Sequence, residues 1–168
     1  MKRASMRNLV LLGGLFLVLL AACSKNKDVY DPGPQLTKDM ATIKTYLTAH
    51  NLAASLDTAT GIYYNIVAPG NGVDSIKYFG TTIDVLYKGS LMADSTVFDS
   101  TTTNTPRNFV YQELIKGWQL EIIRITKGGK IKLYIPSFWG YGTVAHPGIP
   151  ANSILIFDIE LTDLKNPI

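Results

Sequence analysis

One cysteine and two histidines among 168 residues leave little for thiol or metal chemistry. A single cysteine excludes an intramolecular disulfide framework. His50 and His146, with no companion cysteines, make no zinc-ligand cluster, so neither a metal nor a cofactor is expected. Charge is scarce as well, at 17%. Three of the 16 basic residues, Lys2, Arg3 and Arg7, lie at the start, and the rest balance the 13 acidic ones, so the formal charge from Cys23 onward is zero. That removes the electrostatic case for a nucleic-acid partner. No serine stands in a G-x-S-x-G turn, and His146 has no obvious carboxylate partner in the sequence. Gly70-Asn71-Gly72 lacks the third glycine and following helix of a dinucleotide fingerprint and reads as a surface turn. Covalent catalysis, phosphate binding and metal hydrolysis are therefore unsupported. What the chain has is apolar: 46% hydrophobic and 10% aromatic residues, enough for one core-bearing domain with a short extension.

Lys2, Arg3 and Arg7 precede an uncharged run from Leu9 to Ala22. The run is shorter than the roughly 20 residues that span a bilayer, so residues 1–22 read as a signal peptide. It ends at Leu20-Ala21-Ala22-Cys23, which resembles the lipobox of bacterial lipoproteins, in which the cysteine is lipidated and becomes the new N-terminus. The other reading is an ordinary signal peptide with Cys23 as one of its small residues. The resemblance implies a membrane partner through lipidated Cys23, since two or more acyl chains suffice for stable anchoring. With no aspartate following Cys23, it further implies the outer membrane of a bacterial cell envelope, with the domain expected on the periplasmic side. Residues 23–35, containing SKNKDVYDPGPQ, read as the lipidated cysteine and a flexible tether.

Leu36, Met40, Ile43 and Leu47 recur at helical spacing, and residues 36–57 are read as a unit built on one amphipathic helix. Its apolar stripe has two outlets, packing on the following domain or pairing with a second copy as a homodimer. From Gly61 the period shifts towards two. GIYYNIVAPGNG reads as a strand and turn, TTIDVLYKGSL as a strand with Ile83, Val85 and Tyr87 on one face, and NFVY, KIKLYIP and SILIFDIEL as further strands. Between them, Leu114, Ile115, Trp118 and Ile122 stand at near-helical spacing. A short helix over an antiparallel sheet, an α+β fold of one layer pair, is the expected architecture for residues 58–168. Phe138-Trp139-Gly140-Tyr141-Gly142 followed by His146-Pro147-Gly148-Ile149-Pro150 is a poor core strand; such a loop either packs into the core or lines a concave site.

VLYKG (85–89), VFDS (97–100), LIKGW (114–118), IPSFWGYG (135–142), HPGIP (146–150) and SILIFDIEL (153–161) follow one another in an order and spacing that resemble FKBP-type peptidyl-prolyl isomerases over about residues 61–164. The resemblance implies an antiparallel half-barrel wrapped over one short helix, with proline-containing polypeptides as substrates. It also implies, position by position, a site. Trp118 corresponds to the floor under the proline ring, Tyr87, Phe98, Leu114, Ile115 and Phe157 to walls, with Phe109 beside them. Asp99 and Tyr141 correspond to a polar pair that orients the substrate carbonyls, the Ile149 N–H to a donor to the peptide, and His146 to a loop residue against the pocket aromatics. Phe157 and Leu114 equally fit pure core positions, His146 a plain loop residue, and Asp99 a carboxylate satisfying local turn amides. The chain departs from the family at four points: the segment between Tyr87 and Phe98 is one residue longer, with Asp94-Ser95 in place of the usual glycine, Arg107 puts a charge where an apolar residue is common, Glu121 replaces a glycine, and Gly140 replaces the common alanine before Tyr141. Activity as an isomerase assisting the folding of exported proteins is the leading expectation. A proline-peptide binding module or chaperone with little catalysis is the alternative, and a purely structural envelope lipoprotein a third reading.

Overall fold

Alternation of apolar and polar side chains shapes the centre of the molecule. In a computed structural model describing residues 33–102 and 104–168, β3 (Thr82–Leu91) buries Ile83, Val85 and Tyr87 on one face, as their spacing predicts. The expected signal peptide, the lipidation expected at Cys23 and the expected tether up to residue 32 lie outside the described residues. β1 (Ser55–Leu56), β2 (Tyr63–Ala68), β4 (Val97–Ser100), β5 (Arg107–Val110), β6 (Lys130–Ile135) and β7 (Leu155–Lys165) complete one antiparallel sheet in the order β1-β2-β6-β7-β3-β4. β5 shares an edge of β3 with β4: it pairs residues 82–85, and β4 pairs residues 88–90. At the handover Thr101 closes the gap, its Oγ1 accepting from the Tyr87 N–H at 2.9 Å and its own N–H donating to the Tyr87 carbonyl at 2.9 Å.

The concave face of this sheet carries the main core. Ile83, Val85, Ile131, Leu133, Ile135, Leu155, Phe157, Ile159 and Leu161 close over Trp118 and Ile122, which come from the short helix α2 (Lys116–Glu121) and the 3-10 turn that follows it. The opposite face is covered too. The helix α1 (Gly33–Ala49) lays Ile43 and Leu47 against Tyr63, Met92, Tyr134 and Ile156 in a second cluster. Of the two outlets for its stripe, the chain uses the intramolecular one. Residues 58–168 form the expected sheet and short-helix layer pair, and α1 adds a third layer on the other face, because β6 and β7 bury side chains on both faces at Tyr134 and Ile156.

Two boundaries also move. The helix begins at Gly33 rather than at residue 36, with Pro34 supplying a φ suited to the first turn. It ends at Ala49, where Asn51 takes a left-handed φ of 51° and the Leu52 N–H reaches the Leu47 carbonyl at 2.9 Å, so the expected unit 36–57 holds a helix, a turn and the short strand β1.

Candidate active site

α2 is only six residues long, and its placement depends on buried polar contacts. Gln119 donates through Nε2 to the carbonyls of Gln112 (2.9 Å) and Leu114 (2.6 Å), and the Tyr111 hydroxyl donates to the Gln119 carbonyl at 2.5 Å. These bonds hold the segment entering the helix, so Leu114 and Ile115 stand beside Trp118. Gly117 brings the helix close to the sheet: a Cβ there would lie 2.6 Å from Ile135 Cγ2.

Trp118, 3% exposed, lies under a cavity of about 160 Å3 lined by Tyr87, Phe98, Asp99, Phe109, Glu113, Leu114, Ile115, Tyr141 and Phe157. Around the indole, Tyr87, Phe109 and Phe157 stand edge to face at 5.3, 6.4 and 5.1 Å, and Phe98 meets Phe157 edge to face at 5.6 Å. Nine residues singled out in the sequence therefore converge on one concavity: Tyr87, Phe98, Asp99, Phe109, Leu114, Ile115, Trp118, Tyr141 and Phe157. Phe157 serves both readings, as a buried core residue and a pocket wall, whereas Leu114 is only partly buried. Glu113, which sequence reasoning missed, joins the rim; its place immediately before Leu114-Ile115 was the available signal.

The polar rim differs from the expectation. Asp99 accepts from no turn amide among the described residues, which corrects that alternative. Its Oδ2 instead takes the Tyr87 hydroxyl and Arg107 Nη1, the latter at 3.0 Å, and Nη1 also lies 2.5 Å from the Tyr87 oxygen. The guanidinium stands over the rings of Tyr87 and Phe109 at 5.4 and 6.0 Å. Arg107 is thus not merely a charge at the mouth; it holds the carboxylate in place. Burial and the neighbouring Asp99 push the Tyr87 phenol well above the usual tyrosine range, so it stays a hydrogen-bond donor. The Tyr141 phenol is raised for the same two reasons, and its hydroxyl has no hydrogen-bond partner among the described residues.

His146 is exposed and rests its ring 4.8 Å from that of the cavity aromatic Tyr141, without lining the cavity itself. Ile149 is buried, and its N–H donates to the His146 carbonyl at 2.9 Å in a reciprocal bridge. The expected free donor is therefore already engaged, because the HPGIP segment closes on itself as a tight turn.

Residues 78–162 match the family described as FKBP-type peptidyl-prolyl cis-trans isomerase. The chain is similar to FkpA of Buchnera aphidicola from Schizaphis graminum, with 48% identity over 65% of this chain and 43% of that protein. It is also similar to FkpA of Escherichia coli K12, with 41% identity over 64% of this chain and 39% of that protein. The matched part thus spans about two fifths of the length of these relatives. Among solved structures, FkpA from Escherichia coli superposes with a TM-score of 0.65 at 34% identity, covering 77% of this chain and 61% of that one. An isomerase from Pseudomonas syringae superposes at 0.62 and 26% identity, covering 77% and 96%. A family match through the sheet, α2 and the cavity walls leads to one conclusion: this chain belongs to the FKBP-type peptidyl-prolyl cis-trans isomerases.

Proposed function

We propose that this chain accelerates cis/trans isomerisation of X-Pro bonds in exported polypeptides. The observation that carries the reading is the Trp118 cavity, an aromatic cup with an ordered polar edge. Rotation about an amide crosses a barrier of about 18–20 kcal/mol, and X-Pro bonds take tens to hundreds of seconds to do so in solution. No bond is made or broken, so no nucleophile is needed. The twisted imide loses resonance and with it charge separation, so a dry apolar cup favours the transition state over the planar ground state. In this reading Trp118 supports the proline ring, Tyr87, Phe98, Phe109 and Phe157 exclude water, and Tyr141 donates to a substrate carbonyl. Asp99, held by Arg107 and Tyr87, sets the polar edge against which the peptide is oriented.

The test is an isomerisation assay on short X-Pro peptides with the full chain in detergent. Trp118→Phe is the informative variant, because alanine at so buried an indole costs about 3–5 kcal/mol of stability and confuses folding with catalysis. The expected result is acceleration by the wild type and a loss of about tenfold in kcat/KM in the folded variant. Equal rates would reject the cavity as the site. A second reading, a proline-peptide binding module with little catalysis, is favoured by one feature: both Asp99 oxygens lie within hydrogen-bond reach of Arg107. Peptide binding without acceleration would establish it.

The anchoring reading rests on Lys2, Arg3, Arg7, the apolar run and Leu20-Ala21-Ala22-Cys23. In it, lipidated Cys23 ties the domain to the outer membrane, facing the periplasm, where newly exported chains are its substrates. Cys23→Ser should abolish acylation and shift the protein from the membrane pellet to the soluble fraction or stall its maturation. An acylated, membrane-bound variant would end this reading.

A further inference from the structure

Asp39 lies midway along α1, on the far side of the sheet from the cavity, yet it is only 2% exposed. Among the described residues no cation compensates it. Its charge is met by neutral donors: Gln35 Nε2 at 2.7 Å on Oδ1, and the Ser137 N–H at 2.8 Å and hydroxyl at 2.6 Å, both on Oδ2. A buried carboxylate without a counter-ion is an expensive way to dock a helix that already buries Leu36, Ile43 and Leu47. What it adds is direction, because two donors from one residue converging on one oxygen fix both the position and the orientation of Ser137.

Ser137 opens the 3-10 turn Ser137–Trp139 that leads into the site. Its carbonyl accepts the N–H groups of Gly140 at 3.0 Å and Gly142 at 2.8 Å, the two residues that flank Tyr141. Gly142 in turn accepts from the Asn152 N–H at 2.8 Å, and the Trp139 indole donates to the Thr60 carbonyl at 2.6 Å. A continuous line of bonds therefore runs from α1 through Ser137 to the backbone on either side of a cavity-lining tyrosine. We propose that Asp39 is a positioning residue for the site: α1 is a brace that holds the 137–142 loop, and with it Tyr141, against the cavity. The catalytic part of this inference rests on the isomerase reading; the brace itself does not.

The test combines residue-resolved amide exchange with isomerase kinetics on the full chain in detergent. Asp39→Asn keeps the size of the side chain and removes its charge. Exchange should accelerate at least about tenfold at Ser137, Gly140 and Gly142 while the β6 and β7 amides stay as protected as in the wild type. kcat/KM should fall about tenfold through KM, since the loop lines the rim and leaves the Trp118 floor untouched. A general loss of packing would instead raise exchange throughout the sheet, and that pattern, or unchanged exchange in the loop, would overturn the proposal. Loop release with unaltered kcat/KM would overturn its catalytic part. If Asp39→Asn does not fold, Ser137→Ala removes only the hydroxyl bond and should show the same local pattern at smaller amplitude. If the wild type proves inactive, the isomerase reading fails and the exchange data still decide the brace.

Discussion

Glu121 shows how much a single side chain can carry. It is 0% exposed at the end of α2 and takes Arg124 Nε at 2.6 Å on one oxygen, while Oε1 has no partner among the described residues. Asp57 sits on the other arm of the same guanidinium, 3.2 Å from Nη2, and Arg124 stacks over Tyr64 at 4.3 Å. Burial pushes the Glu121 carboxyl above the usual glutamate range, and Asp57 adds to the push against the opposing pull of Arg124. For Asp57, burial is outweighed by bonds from Ala59 and Thr60 and by Arg124, so it falls below its usual range. The signs then oppose. Glu121 binds its proton more tightly folded than unfolded, so its contribution is complete below the ordinary glutamate value and is lost as pH rises through the raised folded value. Asp57 contributes above its ordinary value and loses that contribution as pH falls through the depressed folded value. Glu121→Gln, which keeps an acceptor for Arg124 and offers a donor to Asp57, should match the wild type in acid and exceed it at neutral and alkaline pH. Urea denaturation across pH checks this, and a variant less stable at every pH would contradict it.

At the scale of elements, glycine decides what the strands can hold. Gly89 in β3 pairs with both Asp99 and Phe157, and a Cβ there would lie 2.6 Å from Phe157 Cε1 and 2.7 Å from Phe98 Cζ. Gly89→Ala should therefore cost about 1–3 kcal/mol by overpacking and weaken peptide binding, measured by urea denaturation and by titration with a proline peptide. Full-strength binding would show that the two rings yield without deforming the cavity. The same comparison explains what the sequence disclosed. β3, β6, β7 and α2 were legible because their apolar side chains repeat at two or near-helical spacing over whole elements. β4 was not legible as a strand: Val97-Phe98-Asp99-Ser100 is four residues at an edge, with Val97 exposed and Phe98 turned to the cavity. β1, two exposed residues long, has no period at all. The cavity walls were legible through the order of six segments. The Arg107–Asp99 contact and the Asp39–Ser137 brace were not, because each joins residues whose meeting is set by the fold and not by local spacing.

For the whole molecule, the three-layer arrangement makes α1 part of the domain. Ile43 is fully buried against the outer face of the sheet, and Ile43→Ala should lower stability by about 2–4 kcal/mol, read from the urea midpoint. A loss below 0.5 kcal/mol would mean that the helix is dispensable to the fold and that the stripe is available for other contacts.

Strand order has a consequence in time. β7 is the last strand in the sequence, yet it lies in the interior of the sheet, pairing β6 on one side and β3 on the other. Without it the sheet divides into β1-β2-β6 on one side and β3 with β4 and β5 on the other, joined by no strand pairing. A chain made from its N-terminus therefore has both halves of the sheet once β6 ends at Ile135, before the strand that unites them begins at Leu155, and closure waits for Leu155–Lys165. Long-range pairings of this kind form late and slowly. Synthesis order thus keeps the two halves of the sheet unjoined until Leu155–Lys165 has been made.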